Sequence, residues 1–270
     1  MKILLNKNDL NKALIGVYNL GFVPTMGSLH KGHISLIKKS KMNCKKTLVS
    51  IFVNPSQFNN KLDFKKYPRN KKKDLNILKK LKVDFVFTPK TSQIYNFKRK
   101  KKIKIREKDK VLCAKFRKGH FEGVIDVMDR LIKLIKPNKI FMGEKDYQQI
   151  YLIKKYIDKT KENKIINCKT IRDKNQLALS SRNKLLKKKD LLKASKIIKN
   201  LKIFKKKIKK KFNIDKIIGN KIKLLEKTFQ IKVEYLEMRS KKDLRKTTKI
   251  GSSKIFIAFY INGIRLIDNI

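Results

Sequence analysis

The first two thirds of this chain alternate between strand-like and helix-like segments, and this alternation is its strongest constraint on fold. LGFVPT (20–25) reads as a buried strand. Residues 30–41 read as a helix with Ile34, Leu36 and Ile37 facing inward. TLVSIFV (47–53) is a second strand, rich in β-branched and aromatic residues. A helix over 74–81 leads to a third strand, VDFVF (83–87). An apolar-striped helix over 123–136 stops at Pro137, which cannot continue it. NKIFMG (138–143), a helix over 147–159 and KIINCKTI (164–171) complete the series. Strand–helix–strand repeated in this way predicts an α/β fold: a Rossmann-like, doubly wound parallel sheet with helices on both faces. Ligands of such sheets bind beyond the carboxyl ends of the strands, near the point where strand order reverses. TMG, NPSQF and GEKD all fall at strand ends of that kind.

Beyond residue 183 the texture changes. A lysine-heavy helical stretch (184–211) and a second helix (214–229) precede three strand-like segments, IKVEYLEM (231–238), KIFIAFYI (254–261) and IRLIDN (264–269). This predicts a larger domain over 1–183 and a smaller α+β domain over 184–270. A chain of 270 residues, 41% hydrophobic, can bury a substantial core.

No apolar run approaches the ~18 residues needed to span a bilayer, and MKILLNKNDLNKAL lacks the apolar stretch of a signal peptide. Cys44, Cys113 and Cys168 are far apart and odd in number, which argues against a disulfide framework. Both features point to a cytoplasmic protein with buried free thiols and no membrane partner. The formal charge of +52 would ordinarily suggest a polyanion partner. However, 63 of the 73 basic residues are lysine, spread along the whole chain beside abundant Ile and Asn. Phosphate and base readers lean on arginine's planar fork. Lys, Ile and Asn share AT-rich codons, so compositional drift accounts for the excess, and no specific nucleic-acid partner is expected. The run KIFKKKIKKKF (202–212) reads as a solvated helix face.

The chain has only three histidines, and two of them stand in PTMGSLHKGH (24–33). Residues three apart share one face of a helix, so His30 and His33 can address one anion. A helix N-terminus offers free N–H groups and partial positive charge, which suit phosphate. Imidazole donors there can stabilise charge developing on a nucleotide α-phosphate without a covalent intermediate. An HxGH string after a strand and a glycine-containing turn is the signature of the HxGH nucleotidyltransferase superfamily.

The wider string VPTMGSLHKGH resembles the first motif of the pantoate–β-alanine ligase family. SIFVNPSQF (50–58), KGHFEGV (118–124), FMGEKDYQQ (141–149), LALSSRN (177–183) and RLIDN (265–269) agree in the same order. The resemblance implies an enzyme that joins pantoate to β-alanine with ATP and Mg²⁺. Pantoate's carboxylate attacks the α-phosphate to give pantoyl adenylate and pyrophosphate, and the β-alanine amine then displaces AMP. It also implies a smaller C-terminal lid and a homodimer. Met26, Gly27, Ser28, Leu29, His30, Lys31, Gly32 and His33 would line the ATP site. His33 would be catalytic, and His30 would assist at the phosphates. Gly143, Glu144, Lys145 and Asp146 would also take ATP, with Lys145 meeting phosphate and Asp146 the ribose. Ile171 would pack near adenine, Leu179 would also contact ATP, and Ser180, Ser181 and Arg182 would form a mobile phosphate clamp. Gln57 would hold pantoate and lie at the β-alanine site, and Gln149 would reach pantoate. Asn54 would hold the NPSQF loop and reach toward the metal–nucleotide side, and Arg117 would help with phosphate. No residue is assigned as a metal ligand.

Plain structural readings stand beside these. Gln57 could simply fix a strand-end loop, EKD could be an ordinary helix start, and SSRN could be an N-cap region. Two other functions remain in view: an HxGH nucleotidyltransferase with a phosphorylated acceptor, and a polyanion binder without catalysis. The sequence also departs from the family pattern. Gln176 stands beside Leu177 where the family has glycine, so a turn needing positive φ would be strained or altered. The segment before Leu20 is short, which implies a trimmed sheet edge.

Overall fold

The computed structural model describes residues 1–96, 103–157, 164–208 and 213–270. The elements run β1 (Lys2–Leu4), α1 (Lys7–Leu14), β2 (Leu20–Thr25), α2 (Lys31–Asn43), β3 (Lys46–Ile51), α3 (Lys61–Lys66), α4 (Lys71–Lys80) and β4 (Phe85–Phe87). Then follow α5 (Thr91–Ile94), α6 (Cys113–Phe116), α7 (His120–Ile135), β5 (Lys139–Gly143), α8 (Tyr147–Tyr156) and β6 (Lys164–Cys168).

The six strands form one parallel sheet in the order β1-β4-β3-β2-β5-β6. From β2 the chain winds outward through β3 and β4, then returns to place β5 on the other side of β2. The order therefore reverses at β2, and the ends of β2 and β5 flank the crevice where such sheets bind ligands. Buried strands of this kind need apolar side chains on both faces. Phe22 and Leu48 enter one core with α7, while Val23, Val49 and Phe141 enter the other beneath α2 and α4. Inward residues of α2 are Leu36, Ile37 and Ser40, with Ile34 only half-buried. Ser40 is admitted because its hydroxyl bonds that of Thr47 at 2.9 Å.

The segment before Leu20 supplies the edge strand β1. KIL (2–4) is too short to show a period, yet it pairs in parallel register with β4. The expected helix over 147–159 is described only to Tyr156, and residues 158 and 159 lie outside the described residues. The strand expected over 164–171 ends at Cys168.

The C-terminal third holds α9 (Lys188–Lys207), α10 (Ile214–Phe229), β7 (Lys232–Ser240), β8 (Ser253–Ile261) and β9 (Ile264–Asn269). The three strands form an antiparallel sheet in sequence order. Alternation along β8 divides its contacts. Ile255, Ile257 and Phe259 pack with Ile197, Leu201 and Leu225 of the helices, while Phe256 and Ala258 join the core around α7. The residues of KIFKKKIKKKF up to Lys207 continue α9, and 209–212 lie outside the described residues.

Gln176 adopts φ of 74°. It sits in a turn organised by Asp173, whose Oδ1 accepts from the N–H groups of Asn175 and Leu177 at 2.8 and 2.9 Å. The side-chain amide oxygen of Gln176 accepts from Lys202 Nζ at 2.7 Å, near the surface. A β-carbon at positive φ is disfavoured by roughly 1 kcal/mol relative to glycine. An exposed hydrogen bond to lysine offsets only part of that. Gln176→Gly is therefore expected to raise Tm by about 2–4 °C for a chain of this size. Thermal denaturation checks this, and a lowered Tm would show that the Lys202 contact outweighs the backbone strain.

Candidate active site

The site begins where β2 ends. Thr25 turns its hydroxyl into the sheet, donating to Ser50 O at 2.7 Å and accepting from Gly27 N–H at 3.1 Å. The chain then bends through Gly27 at φ of 76° and Ser28 at φ of 51°. This left-handed pair aims two successive N–H groups at one carboxylate. Asp74 of α4 accepts from Ser28 N–H and Leu29 N–H, each at 2.8 Å. A β-carbon on Gly27 would stand 2.9 Å from Asp74 Oδ2, so glycine is needed for both angle and space. Asp74 is 2% exposed. In the sequence it reads only as the start of a helix. Its signal is faint: one acid among the basic residues of KKKDLNILKK.

His30 is the N-cap of α2. Its Nδ1 accepts from Gly32 N–H at 3.1 Å, and His33 Nδ1 accepts from His30 N–H at 3.3 Å. A backbone N–H can only donate, so Nδ1 carries no proton in either ring and the proton sits on Nε2. The rings are 4.0 Å apart between centroids. Gly32 is required here too, because a β-carbon would lie 2.8 Å from His30 Cε1. Burial, with Lys145 and Lys184 nearby, lowers His30 to about 4. Burial, the neighbouring His30 and the same two lysines lower His33 to about 3. Both are therefore neutral Nε2–H donors at neutral pH.

NPSQF forms the opposite wall. Asn54 is buried and takes hydrogen bonds from Ser56 N–H, Ser56 Oγ and Tyr95 OH, while donating to Gly123 O of α7. It also donates to Gln57 Oε1 at 3.1 Å. Gln57 Nε2 meets Met26 Sδ at 3.2 Å, linking this wall to the TMG turn. The Gln57 backbone oxygen accepts from His120 Nδ1 at 2.6 Å. His120 Nε2 in turn accepts from Arg117 at 2.8 Å, which settles its tautomer because a guanidinium only donates. Burial and that arginine push His120 down to about 3. Burial and the Arg182 charge lower Arg117 to about 10. His120 and Arg117 thus brace Gln57, a role absent from the sequence-level assignment of Arg117 to phosphate.

GEKD stands at the end of β5, across the crevice. Lys145 pairs with Asp146 at 3.1 Å. Asn269 of RLIDN donates to the backbone oxygens of Glu144 and Lys145, each at 2.8 Å, and so clamps this turn to β9. Asp268 beside it accepts a bidentate pair from Arg172 at 2.6 and 3.0 Å.

SSRN forms a capped turn ahead of α9, whose own N-cap is Lys187. Ser180 caps its turn, accepting from Arg182 N–H at 3.3 Å. Ser181 donates to Ser28 O at 3.2 Å, which places the turn against the HKGH loop. Arg182 pairs with Asp63 of α3 at 2.9 Å. One cleft is lined by Met26, His30, Gly32, His33, Gln57, Gly143, Lys145, Asp146, Gln149, Ile171, Leu179, Ser180, Ser181 and Arg182. Gly27, Ser28, Leu29, Lys31 and Glu144 belong to the same loops without lining it. Phe121, Val124, Met128 and Leu131 give the cleft an apolar floor. Three charged or polar loops and a neutral imidazole pair over an apolar floor can hold a nucleotide beside a small acid that carries apolar groups.

The family model described as pantoate-beta-alanine ligase matches residues 3–270. A pantothenate synthetase of Francisella tularensis subsp. novicida is 40% identical over 264 residues, 97% of this chain and 93% of that one. The crystal structure of a pantoate-beta-alanine ligase from Francisella tularensis, complexed with β,γ-ATP and β-alanine, superposes with a TM-score of 0.83 at 37% identity. It covers 100% of this chain and 97% of the other. The pantothenate synthetase of Thermus thermophilus gives 0.85 at 26% identity, covering 100% and 99%. By fold, motif order and match over nearly its whole length, this chain belongs to the pantoate–β-alanine ligase family.

Proposed function

We propose that the chain condenses pantoate with β-alanine at this cleft in two half-reactions, through pantoyl adenylate. The observation that carries this reading is the paired, neutral Nε2–H donors of His30 and His33 at the N-terminus of α2, facing the GEKD turn. ATP lies along that helix end and against GEKD, with Gly143 beside the ribose, Asp146 accepting from its hydroxyls and Lys145 at the phosphates. Ile171 and Leu179 border the adenine. Pantoate takes the Gln57 and Gln149 amides over the apolar floor, and its carboxylate oxygen attacks the α-phosphorus in line with departing pyrophosphate. The imidazole donors meet charge on the α-phosphate oxygens as it grows, and they do so without proton transfer. β-Alanine then enters near Gln57, its amine attacks the acyl carbon, and AMP leaves. Ser180, Ser181 and Arg182 close on the phosphates, Arg182 exchanging Asp63 for phosphate oxygens.

In this reading Mg²⁺ travels with ATP. Among the described residues no three His, Cys, Asp or Glu side chains gather to cage a metal. Asp146 and Asp268 are the carboxylates lining the cleft near GEKD, and Asp268 is already paired with Arg172, which fits an ion held largely by triphosphate oxygens and water. When bound, Mg²⁺ supplies neutralisation of phosphate charge. In the same reading residues 1–183 are the nucleotide and pantoate domain and 184–270 the lid, in a cytoplasmic homodimer. The family resemblance supports these points, and light scattering tests the dimer.

The test of function is pyrophosphate release from ATP, with and without pantoate, in the absence of β-alanine. Pantoate-dependent release is expected, and His33→Ala is expected to slow it by about 10²–10³-fold. No release from folded, Mg²⁺-supplied protein would overturn the reading.

The histidines also set the pH response. Their pKa values of about 4 and about 3 lie below the ordinary 6.5, so the free enzyme keeps both donors on acidification to pH 5. The profile of kcat/KM for ATP should therefore show no acid limb near 6.5, and a limb there would contradict neutral donors. Stability responds with the opposite emphasis. The unfolded chain takes up protons below 6.5 while the folded histidines do not, so the unfolding free energy should fall as pH drops from 6.5 toward about 3.

Asp74→Asn keeps size but turns an amide N–H toward one of the two loop N–H groups. It is expected to lower kcat for adenylation by about 10-fold or more, since small displacements of reacting groups are costly. Rapid-quench measurement of pantoyl adenylate checks this, and wild-type rates would show that the loop holds itself.

A further inference from the structure

Lys184 follows the SSRN motif, and neither motif reasoning nor family resemblance assigns it a role. Its ammonium reaches back to the loop between β2 and α2 and donates to Ser28 Oγ at 2.8 Å. Ser28 is 1% exposed and sits in the left-handed turn held by Asp74. The Lys184 charge therefore stands at the start of α2, close enough to depress both His30 and His33. Two other cations here are engaged with carboxylates. Lys145 pairs with Asp146, and Arg182 pairs with Asp63. Among the described residues no carboxylate lies within ion-pair distance of Lys184, and its one hydrogen bond goes to a neutral hydroxyl. Lys184 is an exposed residue whose ammonium is held against a buried hydroxyl of the proposed phosphate loop.

We propose that Lys184 is a catalytic residue of adenylation that holds the leaving pyrophosphate. The inference rests on the functional reading above. As the pantoate oxygen bonds to the α-phosphorus, the bond from that phosphorus to the bridging oxygen breaks. The electron pair stays on the bridging oxygen, which leaves as part of pyrophosphate. Lys184 donates hydrogen bonds to oxygens of that group and transfers no proton. Its four-carbon stem lets the ammonium swing from Ser28 to phosphate without moving the backbone. Because it rides on the same turn as Ser180 to Arg182, it arrives with the proposed clamp.

The experiment compares Lys184→Met and Lys184→Arg with the wild-type chain near 0.15 M salt, where diffuse surface attraction is screened. Losing one charged hydrogen bond from a phosphate site corresponds to roughly 10- to 100-fold in affinity. Lys184→Met should weaken pyrophosphate as a product inhibitor, and slow pantoate-dependent ATP–pyrophosphate exchange, by that factor. Lys184→Arg should recover most of both. Aminolysis of preformed pantoyl adenylate by β-alanine should proceed at the wild-type rate in either variant, because no pyrophosphate is present in that step. Unchanged pyrophosphate inhibition in Lys184→Met would overturn the proposal, as would equal slowing of both half-reactions, the mark of a tie between two loops. If the wild type showed no pantoate-dependent exchange, the functional reading would fail separately. Calorimetric titration of pyrophosphate into wild type and Lys184→Met would still decide the role of Lys184, equal affinities overturning it.

Discussion

The carboxylate of Asp74 holds the site together more than any other single group. Among the described residues it has no cation against it; its two oxygens are occupied by the N–H groups of Ser28 and Leu29. Those N–H groups belong to a left-handed turn that would be unfavourable in isolation. Withdrawing them from water without a partner would cost several kcal/mol in the interior. The carboxylate accepts both, and so ties α4 to the loop between β2 and α2. That tie sets where α2 begins, hence which face of its first turn carries His30 and His33. The histidines then complete the end of the helix with their own Nδ1 atoms.

A consequence is that each imidazole has one nitrogen committed to the backbone and one left for a ligand. Commitment of Nδ1 to an N–H forbids a proton there, and burial among lysines opposes charge on the ring. The donors are neutral and oriented before any nucleotide arrives, which is the arrangement that stabilises developing charge without reorganisation. His120 repeats the logic on the other wall, where Arg117 fixes its tautomer and its Nδ1 holds the Gln57 backbone.

Charge in this molecule works at two levels. The lysines that make up most of the +52 lie largely at the surface and set its overall field. The arginines act locally: Arg172 with Asp268, Arg265 with Glu234 and Arg182 with Asp63 each join segments distant in sequence. Planar, bidentate geometry suits guanidinium to these half-buried pairs, whereas lysine's flexible stem and strongly hydrated head suit the surface. The Arg172 pair and the neighbouring Asn269 clamp carry β9 against GEKD, so β9 shapes the GEKD side of the cleft.

Periodicity and motif order, both local properties of the chain, are enough to specify the parallel sheet, the three strands after residue 230 and the loops at strand ends, while the antiparallel pairing of β7, β8 and β9 appears only in the fold. VDFVF and NKIFMG are legible because buried parallel strands carry short apolar runs between turn residues. KIL is not, since three residues carry no period and only β4 makes them a strand. The roles of Asp74, His120 and Asn269 arise only in the folded chain. Each acts by accepting from or donating to backbone groups 45 or more residues away, and hydrogen bonding across such a distance leaves no pattern in a single chain's sequence. Gln176 lies between the two levels. Its departure from glycine is readable, and the positive φ that makes it matter becomes visible only in the folded turn.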